Sequence, residues 1–177
     1  HSVGDVLFCA RNHKNVSASA GVHPTYVEGK IATVEDIAKF AEDPKVVAIG
    51  ETGLDFYHEG FDIERQTNQL RNHIRCAKIL NKPLIIHCRN SADHLLKILV
   101  EENANKVGGV MHCFVEDWDT AKTAISLGFY ISFSGILTFK NAKDLQQVAK
   151  QIPSERILVE TDSPWLSPVP LRGETNQ

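Results

Sequence analysis

The sequence predicts an α/β fold of the (β/α)8 barrel type, in which about six βα units are legible. Three observations carry this reading. Short apolar runs rich in β-branched residues recur along the chain, each followed by a segment with helical spacing, and strict β-then-α alternation predicts a parallel sheet. The residues that end these runs, His23, Glu51, His87, His112, Ser134 and Asp162, stand 22 to 36 residues apart, the length of one βα unit. Five of those six can bind a metal. A doubly wound sheet gathers ligands at one switch point, whereas a barrel brings every strand end to one rim.

At 177 residues and 42% hydrophobic content the chain buries a sizeable core as a single domain, 1–177. No stretch is long and apolar enough to span a bilayer, and no signal peptide is visible, so a soluble cytoplasmic protein without a membrane partner is expected. Cys9, Cys76, Cys88 and Cys113 lie scattered without a C-x-x-C pair, which suits reduced thiols. The net charge of −3 argues against broad electrostatic capture of nucleic acid. A polyanionic substrate would need metals and a few local arginines. No obligate protein partner is evident.

Taken in order, Val3, Val6, Leu7 and Ala10 share a helical face near the start. Val16 to Ala20 reads as a short strand, with His23 and Pro24 in the loop beyond it. Thr33 and Asp36 form a capping box for a helix through Phe40 that stops before Pro44. Val46 to Ile49 is a buried strand ended by Gly50, with Glu51 and Asp55 in a tight turn. Glu64 to Leu80 is an amphipathic helix with Leu70, Ile74 and Ala77 inward, and Pro83 to His87 is the next strand. Ser91 reads as a helix N-cap, Gly108 to His112 as a strand, and Asp119 as opening a helix that Gly128 closes. Phe129 to Phe133, a helix from Asn141 to Ile152, and the strand Arg156 to Glu160 complete the pattern, with irregular, proline-rich chain after Pro164.

A carboxylate at the end of a buried strand is costly to desolvate unless something positive meets it, and a metal ion is the expected partner of Glu51. The alternative for Glu51 and Asp162 is a structural pair or helix caps, but the preceding strands carry no compensating cation. A lone histidine after an apolar strand is usually a satisfied core group. Two, His87 and His112, each ending its own strand, weigh against that. His23 either holds a phosphate oxygen or simply turns the chain with Pro24. Asp55 orders the loop or a ligand histidine rather than binding metal. Arg89, two residues past His87, either clamps a phosphate or makes a rim salt bridge. Trp165 either stacks on a base or packs at the rim. The strand period turns Cys88 and Cys113 outward as packing groups, and His13, His58, His73 and His94 are expected to be solvated.

The segments GVHP (21–24), GETGLD (50–55), IIHCR (85–89), MHCF (111–114), YISFSG (130–135) and ETDSP (160–164) resemble, in order and nearly end to end, the TatD family of metal-dependent deoxyribonucleases, within the amidohydrolase-like barrels. The resemblance implies that the six strands are the third to the eighth, and that the chain is truncated at both ends. A first strand with a His-x-His pair and a C-terminal helical region would be missing, and His1 precedes a helix rather than forming that pair. It implies two divalent ions, magnesium, manganese or zinc, that activate a water and neutralise a phosphate. Glu51 would bridge them, His87 and His112 complete the second site, and Asp162 bind the first and accept the proton of the attacking water. Arg172, in PVPLRGETNQ, matches an arginine-containing family segment that meets phosphate.

The implied function is hydrolysis of DNA phosphodiester bonds, from the 3′ end of single strands, with DNA as partner. One alternative is a barrel hydrolase acting on small esters, lactones or phosphotriesters. Many such relatives bridge their metals with a modified lysine, where this chain offers Glu51. Another is a non-catalytic fragment or scaffold, against which the intact Glu51, His87, His112 and Asp162 argue.

Overall fold

A computed structural model describes residues 3–57 and 59–177, so the readings of His1 and His58 fall outside the described residues. The elements are α1 (Val3–Asn12), β1 (Ala18–Ala20), α2 (Val34–Ala41), β2 (Val46–Asp55), α3 (Ile63–Leu80), β3 (Leu84–Arg89), α4 (Ala92–Glu101), β4 (Gly109–Met111), α5 (Trp118–Ser126), β5 (Phe129–Phe133), α6 (Lys143–Gln151) and β6 (Ile157–Val159). The strands form one six-stranded sheet in sequence order, every pair parallel, with a helix in each crossover. Sequential parallel order is the arc of a (β/α)8 barrel rather than a doubly wound sheet, whose order reverses at a switch point.

Alternate residues of the strands face the helices. Leu84 and Ile86 of β3, Met111 of β4, and Phe129 and Ile131 of β5 are fully buried there against Leu70, Ile74, Leu95, Ile98 and Leu99. The opposite, concave face carries Ala48, Ile85, Val110, Tyr130 and Leu158 low down, around an apolar cavity of about 430 Å³. No helix among the described residues is long and apolar enough to cross a membrane, and all four cysteines are free thiols.

Several elements differ from their sequence reading. The expected turn at Glu51 to Asp55 is strand: Thr52, Gly53, Leu54 and Asp55 pair with Ile86, His87, Cys88 and Arg89, after a bulge between Ile49 and Thr52. Gly53 within it has φ 147°, a conformation that glycine tolerates. Here that freedom permits close approach instead, since a Cβ on Gly53 would lie 1.9 Å from the His87 carbonyl oxygen. The N-cap of α5 is Asp117, whose carboxylate accepts the Thr120 N–H at 2.9 Å, not Asp119. Ser91 sits at the N-cap of α4, but its hydroxyl donates to the Leu54 carbonyl at 2.9 Å.

The larger correction concerns α3. Beside its apolar stripe it buries Gln66, Gln69 and His73, which grip backbone of the neighbouring βα loops. Gln66 brackets Asp55, accepting its N–H at 2.8 Å and donating to its carbonyl at 3.0 Å. Gln69 accepts the Ala32 N–H at 3.0 Å, and Asn72 donates to the Ala32 carbonyl at 2.9 Å. His73 is fully buried rather than solvated, and burial pushes its pKa down to about 4. It accepts the Val22 N–H on Nε2 at 3.0 Å, and its Nδ1 bonds the Gln69 carbonyl at 2.7 Å. His94 is also engaged, with Thr67 at 3.1 Å and against the Phe56 ring, whereas His13 is exposed as expected.

Candidate metal centre

The upper part of the concave face is polar because successive strands end there on ionisable residues. The β2 bulge carries Glu51, and the odd-numbered residues of β3 bring Ile85, His87 and Arg89 to the concave side. His112 follows β4 directly, its N–H donating to the Ile86 carbonyl at 2.8 Å. Beyond β6, the Glu160 N–H continues the ladder to the Phe133 carbonyl at 3.0 Å, and Asp162 follows two residues later. His23 stands in the loop after β1, its Nδ1 2.7 Å from the Thr25 hydroxyl. His23, Glu51, His87, Arg89, His112 and Asp162 line one cavity of about 500 Å³.

Glu51 is the hub. Its Oε1 lies 3.0 Å from His87 Nδ1, 3.6 Å from His23 Nε2 and 3.8 Å from His112 Nε2. His112 Nε2 is also 3.3 Å from Asp162 Oδ1. Each strand-end histidine has a carboxylate behind it. His87 Nε2 meets Asp55 Oδ2 at 2.9 Å, and His112 Nδ1 is hydrogen-bonded to Glu160. A carboxylate on one ring nitrogen holds a proton there, so the other nitrogen is the one that can give its lone pair to an ion, releasing any proton it carries. For His87 that donor is Nδ1 and for His112 it is Nε2, and both face Glu51.

The donor set fits a divalent cation. Ligand atoms of His23, Glu51 and His87 all lie within 4.8 Å of one another, so one ion can reach all three at ordinary bond lengths of about 2.0–2.2 Å. His87 Nδ1 and Glu51 Oε1 lie 3.0 Å apart, a hydrogen-bond contact that a cation between them would replace. Asp162 and His112 extend the same donor types, His112 Nε2 standing 3.8 Å from Glu51 Oε1 and 3.3 Å from Asp162 Oδ1. Imidazole with carboxylate suits magnesium, manganese or zinc.

Charges in the centre hold one another. Burial alone would raise the Glu51 carboxyl, but hydrogen bonds from His23 and His87 and the charge of His112 outweigh it and keep Glu51 well below the usual carboxylate range. Burial would lower His112, yet Asp162, Glu160 and Glu51 raise its pKa to about 10. Glu160 is pulled down in turn, burial being outweighed by its bonds to His112 and the Cys113 N–H.

The structure thus brings Glu51, His87, His112 and Asp162 into one cavity and adds His23, whose ring packs edge-on to His87 at 4.6 Å. Asp55 stands behind His87, outside the cavity lining. Arg89 lines the cavity, but it makes no ion pair among the described residues; its guanidinium lies 3.7 Å from the Tyr57 ring centre. Trp165 also lines it, 71% exposed. Arg172 does not. It stacks on Phe139 at 4.1 Å in an adjoining pocket of about 400 Å³ that shares Trp165 and Leu166 with the first. Cys113 is not turned outward: it has φ 45°, lines the cavity and contacts the Ser134 hydroxyl at 3.1 Å. Leaving β4, the chain takes a left-handed residue there, which breaks strand alternation. Cys88, buried as expected, also reaches the cavity wall. The residue that sequence reasoning missed is Glu160. Period 2 through Leu158, Glu160 and Asp162 was the available signal, masked because Glu160 reads as the last residue of a strand.

A parallel (β/α) barrel arc whose strand ends bring a glutamate, an aspartate and carboxylate-backed histidines to one cavity has the architecture of the metal-centred barrels. Comparison with known proteins narrows this. The family model described as TatD related DNase matches residues 2–177. The uncharacterized metal-dependent hydrolase YcfH of Escherichia coli K12 is 49% identical over 163 residues, covering 92% of this chain and 61% of the relative. The 3′-5′ ssDNA/RNA exonuclease TatD of Escherichia fergusonii is 34% identical over 161 residues, covering 90% of this chain and 62% of the relative. Among solved structures, the TatD homologue YJJV from E. coli K12 superposes with a TM-score of 0.91 at 29% identity, covering 98% of this chain and 68% of that one. The chain belongs to the TatD related DNase family. It spans just over three-fifths of the length of the two sequence relatives.

Proposed function

We propose that this chain carries the metal centre of a hydrolase that cleaves DNA phosphodiester bonds, trimming single strands from the 3′ end with two divalent ions, magnesium, manganese or zinc. The observation that carries this reading is the convergence of two carboxylate-backed histidines, His87 with Asp55 and His112 with Glu160, on Glu51 beside Asp162. Glu51 would hold both ions, His87 and His112 would serve one of them through Nδ1 and Nε2, and Asp162 would hold the other. When bound, the ions supply a water activated at neutral pH and neutralise charge on the phosphate. Asp162, at the cavity wall, would accept the proton that such a water loses. His23 turns to the phosphate or completes the ligand set with Glu51 and His87, with which it already clusters. Arg89 supplies cationic donors to the phosphate, and Trp165 a stacking face for a base. Arg172 extends the contact one pocket further along the strand. With a net charge of −3, the protein concentrates its attraction for a polyanion at these few groups. The exonuclease name of one relative supports the substrate class and the direction of cutting.

The test is end-labelled single-stranded DNA incubated with the full-length protein and magnesium, manganese or zinc, with a chelator control. A metal-dependent ladder shortening from the 3′ end is expected. Intact DNA under all three metals would overturn the reading and turn attention to small esters and lactones.

A further inference from the structure

Arg89 is the cation that lines the centre without a carboxylate partner among the described residues. A long flexible side chain left this way loses much of its rotamer freedom when it grips a ligand, which weakens binding. This chain holds it beforehand. The guanidinium carbon lies 3.7 Å from the Tyr57 ring centre, well inside cation–π range. Tyr57 is in turn fixed by the residue that orients His87: Asp55 gives one oxygen to His87 Nε2 at 2.9 Å and the other to the Tyr57 N–H at 3.0 Å. The Phe56 N–H donates to the Arg89 carbonyl at 2.9 Å, tying the same loop to β3. One buried carboxylate therefore sets both a histidine of the centre and the aromatic ring on which the arginine rests. The ring itself stays 57% exposed, with the guanidinium against it.

We propose that Tyr57 is a positioning residue for substrate binding: its ring holds the Arg89 guanidinium flat at the cavity wall, with the planar N–H fork presented edge-on to a phosphate of the nucleic-acid strand. This rests on the phosphodiesterase reading above. Stacking leaves the in-plane donors free, so the arginine keeps its bidentate fork while giving up its mobility. A neutral ring does this where a carboxylate could not. A salt-bridged arginine would have its donors spent and its charge cancelled, whereas a π face attracts the cation and leaves both for the phosphate.

The experiment compares Tyr57→Phe, Tyr57→Leu, Arg89→Gln and the Leu/Gln double variant in the full-length, manganese-loaded protein acting on a labelled ten-residue oligothymidylate. Tyr57→Leu should raise KM about fivefold to tenfold with kcat within about twofold, and Tyr57→Phe, which keeps the π face, should match the parent. In the Arg89→Gln background the Leu substitution should add nothing to KM, because the ring acts through the arginine. A second readout needs no turnover. The Arg89 Nε–Hε NMR signal should carry a ring-current shift that Phe preserves and Leu abolishes. Additive effects of the two substitutions, or a Phe variant as impaired as Leu, would overturn the proposal. If the parent protein cuts no oligonucleotide, the phosphodiesterase reading has failed instead. The NMR signature would then decide whether Tyr57 holds Arg89, and its absence would overturn the positioning role as well.

Discussion

The two halves of the centre are built by different means. On one side, Asp55 is the last residue of the ten-residue strand β2 and is 1% exposed. Its backbone is bracketed by Gln66, and both of its carboxylate oxygens are engaged. On the other side, Glu160 follows the three-residue strand β6 at the edge of the sheet. Its side chain is 22% exposed, and the adjacent Val159 is 81% exposed. The His87 half is therefore oriented by sheet and core, while the His112 half takes its order from the mutual attraction of His112, Glu160 and Asp162. Preorganisation by packing persists whatever the charge state, whereas preorganisation by charge depends on pH and on the ion.

Glu51 joins the halves, so its substitution should have the largest effect. Glu51→Gln keeps the shape but removes the negative charge on which both histidines converge, and Asp162→Asn removes the proposed proton acceptor. Hydrolysis should fall by about a thousandfold or more in each, with the far-ultraviolet circular dichroism unchanged. A residual rate above a few per cent of the parent in either variant would remove the proposed mechanism.

Next in size are the carboxylates behind the histidines. Asp55→Asn and Glu160→Gln should each weaken metal binding about 10- to 100-fold by calorimetric titration, because the amide no longer fixes the histidine tautomer. Asp55→Asn should also lower the stability of the ion-free protein by about 1–3 kcal/mol whatever the pH, since it disturbs a buried, fully bonded group, whereas the stability lost in Glu160→Gln should shrink as pH rises through about 10. Losses with the same pH dependence would mean that the two halves are built alike.

The difference between the halves also decided what was legible in the sequence. The strand order, and the placing of His87, His112 and Asp162 at or just beyond strand ends, follow from apolar runs and helical spacing, which report burial directly; Glu51, expected to end its strand, sits instead at a bulge within β2. Asp55 could be read as an orienting group because it lies near Glu51 in chain and space. Glu160 was hidden because its partner, His112, comes from a strand almost fifty residues earlier, and only the fold joins them. The polar grip of α3 was hidden for a related reason. Gln66, Gln69 and His73 look like a solvated helix face until the loops they hold are folded over them. The turn expected at Glu51 to Asp55 is strand because the positive φ of Gly53 serves close approach to β3 rather than chain reversal.

Alkaline titration should separate the halves further. In ion-free protein the His112 pKa is raised to about 10. A raised histidine contributes stability that is fully present below its unfolded pKa, about 6.5, and lost as pH rises through about 10. Urea midpoints in chelator should therefore fall across that window, and Glu160→Gln should flatten the slope by removing one of the groups that raise the pKa. Metal affinity should rise with pH over the same range, because binding releases the proton.

The smallest effect expected lies on the acid side and belongs to the other half. His73 anchors the Val22 N–H, one residue before His23, as a neutral ring whose buried pKa is about 4. Between about pH 6.5 and 4 the unfolded chain takes up a proton that the folded chain refuses, so stability falls as pH falls. The contribution amounts to about 1–2 kcal/mol near pH 5 to 5.5. His73→Gln can still accept from Val22 but cannot titrate. Whatever it does to absolute stability, it should remove this part of the acid slope and leave the alkaline slope untouched. Carboxylates elsewhere also contribute to acid unfolding, so the quantity to measure is the difference in urea midpoint between parent and variant at pH 7 and pH 5. If that difference does not change with pH, His73 is not the proton-excluding anchor of the His23 loop, and the order of the His87 half rests on Gln66, Gln69 and Asp55 alone.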